Sequence, residues 1–343
     1  MAGTGSAHLR DDALLRVEEL EVRFPAGSGR SVHAVSGISF DVVEGETLGI
    51  VGESGCGKTT TGRAVLQLPR PTSGRIFFEG RDLAGLDGAG LRRTRPALQM
   101  IFQDPISSLN PRRSVTDIVT EPLAVWDRGT ASERAELVRS MLEAVGLDPD
   151  AVGDRRPHQL SGGQCQRVSI ARALVLEPRL LICDEPVSAL DVSVQAQILN
   201  LLEDMKDRYG LTVIFIAHDL AVVKHISDRV AVMYLGKLCE VGPSDALYQR
   251  PAHHYTAALL ASVPTPDPDI ERAPVPLEGE VPSPIDPPSG CRFRTRCPAA
   301  VDRCAAEEPR LRPVEPGHFV ACHVPLVEVA APTVSAWEEP HSA

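Results

Sequence analysis

Eight consecutive residues have the types and spacing of a phosphate-binding loop, G-x-x-x-x-G-K-[ST]. The apolar residues 48–51 before them predict a buried strand, and residues 60–66 after them predict the start of a helix. Glycines let the backbone N–H groups of such a loop point at an anion, and a helix N-terminus adds partial positive charge. Lys58 is expected to reach the β- and γ-phosphates of a nucleotide, and the Thr59 hydroxyl to ligate Mg²⁺. The predicted phosphate-binding residues are Gly52, Glu53, Ser54, Gly55, Cys56, Gly57, Lys58, Thr59 and Thr60.

Two carboxylates follow a second apolar run, residues 180–183. A strand there would carry Asp184 to the edge of a sheet, where its carboxylate can hold Mg²⁺. Glu185 beside it can orient and deprotonate a water molecule for attack on the γ-phosphate. An acidic strand end that merely faces solvent is the alternative. The upstream phosphate-binding loop favours the catalytic interpretation.

A third motif, Leu160-Ser161-Gly162-Gly163-Gln164, precedes a predicted helix over residues 165–176. Backbone N–H groups at such a helix start can bind an anion. Its position between the two nucleotide motifs argues against an ordinary Gly-Gly turn. With these motifs in place, the chain resembles the ATP-binding subunits of ABC transporters, whose signature motif this pentapeptide matches.

The elements that must position these motifs have the pattern of an α/β protein. Residues 14–24 and 35–43 predict an antiparallel edge sheet ahead of the loop. Runs at 180–183 and 213–216, with a helical pattern between them, predict parallel strands buried on both faces. Residues 104–171 predict an inserted helical subdomain. The expected fold is an α/β P-loop NTPase core of the ABC ATPase type, with these two additions and a small C-terminal cysteine-containing extension.

Composition limits the partners and the compartment. The chain has 343 residues, a length typical of about two domains. A formal net charge of −11 argues against a nucleic-acid partner, whose phosphates must be met by Lys and Arg. No apolar run approaches the ~18 residues of a membrane-spanning helix, and the first ten residues lack the apolar region of a signal peptide. A cytoplasmic protein, free or docked on a membrane partner, is therefore expected.

The resemblance assigns roles to four further residues. Gln103 corresponds to the family's Q-loop glutamine, which contacts Mg²⁺ and the attacking water. Asp191 belongs to a D-loop-like segment that touches the opposite subunit. His218 corresponds to the switch histidine at the γ-phosphate. Phe24 is expected to stack on adenine, although the usual residue there is Tyr and core packing is the alternative.

Other segments narrow the resemblance to the oligopeptide/dipeptide branch of the family. Residues 102–111 are similar to the Q-loop segment of that branch, and residues 251–264 to its C-terminal extension. His254 stands where that extension usually has Pro. Cys165 and Cys183 also depart from the common residues, and we interpret both as small buried thiols.

The resemblance implies an ATPase on the cytoplasmic face of the membrane that drives uptake of oligopeptides or dipeptides. Its implied partners are a second ATPase subunit, identical or different, two membrane permease subunits and an extracytoplasmic solute-binding protein. Import of nickel or another small solute remains open within this class. A soluble ABC ATPase without a transport role is the second alternative, and a metal or redox sensor centred on the cysteine module is the third.

The C-terminal part carries four clustered cysteines. The predicted divisions are a nucleotide-binding domain at 12–260, a proline-dense linker at 261–289, a cysteine-containing extension at 290–325 and a disordered tail at 326–343. Some peptide-transporter ATPases with a similar arrangement hold a [4Fe–4S] cluster, which four thiolates can ligate. Structural zinc is the second expectation, and two disulfides or unligated thiols remain alternatives. His318 and His323 are interpreted as surface residues. The four cysteines are Cys291, Cys297, Cys304 and Cys322.

Overall fold

The computed structural model describes residues 8–262 and 279–328. Within them the strands are β1 (Leu15–Pro25), β2 (Ser31–Val42), β3 (Thr47–Val51), β4 (Ser73–Phe78), β5 (Arg81–Asp82), β6 (Leu98–Ile101), β7 (Leu180–Asp184), β8 (Thr212–Ile216), β9 (Arg229–Tyr234), β10 (Lys237–Pro243), β11 (Arg312–Glu315) and β12 (His318–Val320). The helices are α1 (Lys58–Val65), α2 (Gly88–Thr94), α3 (Pro105–Ser108), α4 (Val115–Val125), α5 (Ala131–Ala144), α6 (Pro149–Val152), α7 (Gly162–Leu174), α8 (Val192–Tyr209), α9 (Leu220–Ile226), α10 (Ser244–Gln249), α11 (His254–Ala261) and α12 (Asp302–Ala306).

The first sheet is antiparallel and has the strand order β2-β1-β4-β5. Leu15 lies opposite Val42 in β2 and opposite Phe78 in β4, so both partners of β1 run against it. The antiparallel edge sheet predicted ahead of the phosphate-binding loop is therefore confirmed.

The second sheet has the order β11-β12-β10-β9-β3-β8-β7-β6. Strands β9, β3, β8, β7 and β6 are parallel to one another. Because β8 lies between β3 and β7, the carboxyl ends of these three strands meet at one edge of the sheet. The phosphate-binding loop after β3, the carboxylates at the end of β7 and His218 after β8 therefore come together.

The C-terminal extension adds two strands to this same sheet. Strand β10 runs antiparallel to β9, β12 pairs with β10, and β11 pairs with β12. Glu240 faces Val320 in the β10–β12 register. The extension is thus hydrogen-bonded to the nucleotide-binding core, although a long proline-dense segment separates the two in sequence.

Helices α3 to α7 occupy the region predicted as an inserted helical subdomain. Capping boxes start three of them, with Ser114 and Asp117 at α4, Thr130 and Glu133 at α5, and Ser161 and Gln164 at α7. Helix α5 buries Met141 and Leu142 on the side that the sequence pattern indicated. Helices α3, α4 and α5 pack against α7, and α7 packs in turn against strand β6 of the parallel sheet.

Alternating residues of the parallel strands serve two hydrophobic cores. In β7, Leu180 and Ile182 pack into the core between the two sheets, whereas Leu181 and Cys183 pack into the core beneath the helices. Strands buried on both faces read as continuous apolar runs, and this explains why the pattern was visible in the sequence.

Parts of three sequence predictions lie outside the described residues: the chain start at 1–7, residues 263–278 of the linker and residues 329–343 of the tail. Across 8–262 and 279–328, no helix is both long and apolar enough to cross a membrane.

Candidate functional site

A cleft of about 340 Å³ opens at the edge where β3, β7 and β8 end. Phe24 and Val32 from the antiparallel sheet form one wall, and Gln103 and Glu185 form another. Pro284, in the last part of the predicted linker, also lines it. From the phosphate-binding loop the cleft takes Ser54, Gly55, Gly57, Lys58, Thr59 and Thr60. The structure thus brings the predicted adenine contact, phosphate loop and catalytic carboxylate to one cleft.

Close packing fixes the shape of the phosphate-binding loop. A Cβ on Gly52 would lie 2.0 Å from the Met233 carbonyl oxygen, and one on Gly57 would lie 2.2 Å from that of Ala34. Gly57 also has φ +106°, a conformation that side chains disfavour. Lys58 is 5% exposed, and its Nζ donates hydrogen bonds to the carbonyls of Gly52 (2.7 Å) and Glu53 (3.1 Å). The ammonium group therefore lies inside the loop that would surround a phosphate.

Two of the three predicted magnesium ligands, Thr59 and Asp184, contact each other, whereas the third, Gln103, bonds Glu185. The Thr59 hydroxyl donates a hydrogen bond of 2.7 Å to Oδ1 of Asp184. Asp184 is fully buried, and its Oδ2 has no hydrogen-bond partner in the described residues. Burial raises the pKa of this carboxyl group, and the Thr59 hydrogen bond opposes the shift. A hydroxyl and an orphaned carboxylate oxygen are the hard donors that Mg²⁺ prefers, so the residues present fit this ion.

Glu185 lies where two other predicted site residues meet. The Gln103 amide donates a hydrogen bond of 2.9 Å to Oε2 of Glu185, and Nδ1 of His218 lies 3.4 Å from the same oxygen. Glu185 has φ +46°, and its N–H donates to the Ile216 carbonyl in β8. A non-glycine residue in this strained region is often found at a functional site. The three side chains can hold a water molecule against a phosphate in the cleft.

The signature residues lie apart from this cleft. Ser161 caps α7 through a reciprocal capping box with Gln164. A Cβ on Gly163 would lie 2.7 Å from Cγ1 of Val194, so the signature packs directly on the first turn of α8, which Asp191 caps. Ser161 and Asp191 are exposed. Neither Ser161 nor Asp191 lines the cleft of its own chain.

The cysteines outside the C-terminal group are buried, as the sequence interpretation proposed for two of them. Cys165 and Cys183 are both 0% exposed, and burial raises the pKa of each thiol. Cys56, in the phosphate-binding loop, is 4% exposed, and burial raises the pKa of its thiol as well, with Lys58 opposing.

The four C-terminal cysteines are neighbours without converging on one point. All are free thiols, and the Cys291 N–H donates to the Cys304 carbonyl at 2.8 Å. Burial raises the pKa of Cys322 to about 11, and the other three thiols add to the shift. Among the described side chains, however, no three His, Cys, Asp or Glu groups gather closely enough to hold a metal ion. The predicted iron–sulfur site therefore finds no support in the sulfur positions.

One interpretation of this segment was wrong. His318 is 1% exposed, and its Nε2 lies 2.7 Å from Oε1 of the fully buried Glu240. The residue begins β12 beside β10, which places its ring under the sheet extension and not on the surface. His323 is half-buried and bonds the Glu307 carbonyl.

Sequence reasoning missed two residues of the site's surroundings. Arg296 forms an ion pair with Glu53, and the Tyr255 hydroxyl accepts a hydrogen bond from the Glu53 N–H. Tyr255 belongs to residues 251–264, which resemble the family's C-terminal extension, but that resemblance predicts no role for Tyr255 itself. Arg296 carries no motif of its own, so no sequence signal pointed to it.

Comparisons with known proteins agree with this geometry. The family model described as ABC transporter matches residues 35–188, and the one described as oligopeptide/dipeptide transporter, C-terminal region, matches residues 239–304. A probable peptide ABC transporter ATP-binding protein of Sinorhizobium fredii is 54% identical over 326 residues, covering 93% of this chain and 92% of its own. An oligopeptide transport ATP-binding protein of Bacillus subtilis is 49% identical over 322 residues, covering 91% and 98%.

Solved structures share the fold of the core. The protein cbiO1 of Clostridium perfringens, part of the ABC transporter complex cbiONQ, aligns with a TM-score of 0.62 at 33% identity, covering 70% of this chain and 92% of its own. A dimeric ATP-binding cassette in a post-hydrolysis state, bound to ADP and phosphate, aligns with a TM-score of 0.62 at 28% identity, covering 67% and 98%.

Proposed function

This chain belongs to the family of ABC transporter ATP-binding proteins, and from that premise we propose that its ATPase activity drives import of peptides through separate membrane subunits. The family membership makes the chain an ATPase. The observation that carries the peptide assignment is the match of residues 239–304 to the oligopeptide/dipeptide transporter C-terminal region. Relatives that align with this chain over most of their length are named for peptide transport, which supports the same assignment.

In the proposed mechanism the phosphate-binding loop holds the nucleotide. Lys58 supplies positive charge to the β- and γ-phosphates, and backbone N–H groups at the start of α1 supply hydrogen bonds. Thr59 and Asp184 would hold Mg²⁺, which neutralises phosphate charge when bound. Phe24, 37% exposed at the cleft wall, would stack on the adenine base.

Hydrolysis would follow from the three side chains around Glu185. The carboxylate accepts a proton from the attacking water, while the Gln103 amide keeps Oε2 in place. His218 lies within reach of the same oxygen, from where it would contact the γ-phosphate. Glu185 is mostly buried, with its side chain 14% exposed, which favours its action as a base in a partly desolvated site.

Two such subunits would act together. Ser161 and the D-loop residue Asp191 are exposed and do not line their own cleft. The signature, Ser161, Gly162, Gly163 and Gln164, and Asp191 would close over the nucleotide of an identical or related subunit. The homologous dimeric cassette supports this arrangement. The helical region would transmit closure to two permease subunits at the cytoplasmic face of the membrane, which receive solute from a binding protein.

An uptake experiment tests the cargo. The gene is deleted in its own host and restored as wild type or as Glu185→Gln, and uptake of labelled dipeptides, oligopeptides and Ni²⁺ is measured. Peptide uptake that is lost on deletion and restored only by wild type supports the proposal. Restoration of Ni²⁺ uptake alone would move the assignment to metal import, and no uptake defect would favour an ATPase outside transport.

The C-terminal thiols carry a narrower proposal, a bound [4Fe–4S] cluster with zinc as the alternative. The donor type supports it, since four free cysteines lie within one small module. The sulfur positions do not fit a bound cluster as they stand. Anaerobic purification followed by iron, sulfide and zinc analysis decides, with Cys297→Ser as the control. About four irons per chain, lost in the variant, would support the cluster; zinc without iron, or neither metal, would refute it.

A further inference from the structure

The carboxylate of Glu53 is held by a residue of the cysteine-containing extension. Nη1 of Arg296 lies 2.7 Å from Oε2 of Glu53, and Nη2 lies 3.1 Å from Oε1. The Arg296 side chain is 5% exposed and that of Glu53 is 26% exposed. Two parallel hydrogen bonds in a mostly desolvated setting form the strongest class of protein ion pair, and only arginine has the fork that makes both.

Arg296 packs against a cluster of buried aromatic rings. Its guanidinium lies 5.9 Å from the ring centre of Tyr234, and Nη1 lies 3.5 Å from the Tyr234 hydroxyl. The rings of Tyr234, Tyr255 and Phe293 pack against one another with centroids 4.7 to 5.3 Å apart. All three rings are at most 1% exposed. These buried, closely packed rings therefore hold Arg296 in a fixed position beside the phosphate-binding loop.

The same aromatic cluster also forms a hydrogen bond with the backbone of the phosphate-binding loop. The Glu53 N–H donates a hydrogen bond of 2.8 Å to the Tyr255 hydroxyl. The Glu53 carbonyl accepts a further hydrogen bond from Nζ of Lys58. One residue of the phosphate-binding loop is thus fixed at three points, two of them from parts of the chain more than 200 positions away.

The position of Glu53 makes this contact matter for nucleotide affinity. A carboxylate one residue after Gly52 repels a triphosphate unless its charge is neutralised, and it competes for Lys58. Arg296 neutralises that charge and draws the side chain toward the extension. The matched Arg–Glu pair on the surface of the same module, Arg303 with Glu307 at 2.8 Å, has no contact with the loop.

We propose that Arg296 is a positioning residue for ATP: it holds the Glu53 carboxylate against the C-terminal extension, away from the triphosphate, so that Lys58 is free to bind phosphate. The extension is then part of the nucleotide site and not only an appendage. The proposal rests on ATP as the ligand of the phosphate-binding loop, and it does not depend on peptides being the cargo.

Four full-length variants test it: Arg296→Gln, Glu53→Gln, the double variant, and Arg303→Gln as control. The dissociation constant for ATP is measured by calorimetry, and KM and kcat by phosphate release. We expect Arg296→Gln to raise the ATP Kd and the KM about tenfold with kcat changed less than about twofold, because an unpaired carboxylate repels the triphosphate. In the Glu53→Gln background, Arg296→Gln should change the ATP Kd less than about threefold, since no repelling charge is left there. Arg303→Gln should match wild type.

The double variant separates charge from structure. If Arg296 serves only to keep the module folded, Arg296→Gln and the double variant will be impaired alike, and the proposal is overturned. Wild-type affinity in Arg296→Gln would overturn it as well. Should Arg296→Gln fail to fold, Glu53→Gln and Arg296→Lys carry the test. Arg296→Lys keeps the charge but loses the paired hydrogen bonds, so it should raise the ATP Kd about threefold in the wild-type background and leave it unchanged in the Glu53→Gln background. An equal rise in both backgrounds would refute the proposal. These ATP affinities do not depend on which solute is transported. The uptake experiment therefore tests the peptide cargo, and the binding experiment tests the role of Arg296, independently of each other.

Discussion

The side-chain amide of Gln103 donates a hydrogen bond of 2.9 Å to Oε2 of Glu185, across 82 positions of sequence. Gln103 follows the edge strand β6, and Glu185 follows its neighbour β7, so the sheet itself sets their separation. The contact holds the proposed base in place before any water arrives. It also joins the start of the helical region to the proposed catalytic carboxylate.

Glu185→Gln should abolish turnover and keep binding. The substitution preserves the size of the side chain and removes the proton acceptor, so phosphate release should fall by about 10² or more while the ATP Kd stays within about twofold of wild type. Calorimetry and a phosphate-release assay measure the two quantities. Glu203→Gln, on the partly exposed face of α8, serves as the control. Hydrolysis at the wild-type rate in Glu185→Gln would remove this residue from the mechanism.

Lys58→Ala should weaken ATP binding itself. The ammonium group lies within the loop at 5% exposure, where a charge-assisted contact to phosphate is poorly screened, so we expect at least a tenfold rise in the ATP Kd. The exposed Lys224→Ala provides the matched loss of a lysine elsewhere. Unchanged affinity in Lys58→Ala would contradict the assignment of the loop.

ATP should bring two subunits together. In the Glu185→Gln background, sedimentation with ATP is expected to show a dimer, either of this chain or with a related cassette. Ser161→Arg places bulk and charge at the exposed signature and should abolish the dimer while each subunit still binds ATP. Ser132→Arg, on the exposed first turn of α5, should dimerise like the parent. A fully active protein that stays monomeric at all concentrations would exclude the two-subunit mechanism.

His253 should make stability depend on pH in a defined window. Burial lowers the pKa of this residue to about 4, against 6.5 for an unperturbed histidine, and the Glu240 charge opposes the shift. Above pH 6.5 neither the folded nor the unfolded form is protonated there. Between pH 6.5 and 4 only the unfolded chain takes up the proton, so stability falls by up to about 3 kcal/mol as the pH is lowered.

His253→Asn tests that window. Asparagine can still accept the Tyr255 N–H that caps α11, and it does not titrate. Urea unfolding at pH 7 and at pH 4.5 should show a smaller loss of stability for the variant than for wild type. His225→Asn, whose side chain is 61% exposed, should leave the wild-type loss unchanged. An equal loss in His253→Asn would assign the acid sensitivity to other groups.

Local pattern was enough to predict most of the core. The continuous apolar runs located β7 and β8, and helical spacing located α8, which ends at Gly210 with φ +61° as a glycine after a helix often does. The phosphate-binding loop was predictable because its glycines and lysine are fixed by spacing alone. These features depend on residues within one turn or one strand of each other.

Pairing across the chain was not predictable in this way. Nothing near Arg296 indicates that its partner is Glu53, since an arginine among small and polar residues is typical of a surface. His318 was misread for the same reason: its burial comes from β10, about 80 positions earlier, and not from its neighbours in sequence. Strand register and ion pairing over such separations are decided by tertiary packing, which a single sequence does not display.

Because Glu53 and Arg296 lie far apart in sequence, their contact forms late in the synthesis of the chain. Glu53 leaves the ribosome 243 residues before its partner, which at typical elongation rates of ~5–20 residues per second is a delay of roughly 10 to 50 s. The parallel strands β3, β7 and β8 are complete before the extension exists, so the nascent cassette can fold with its phosphate loop unrestrained. A newly made chain would therefore reach full nucleotide affinity only after its last quarter has been translated and docked.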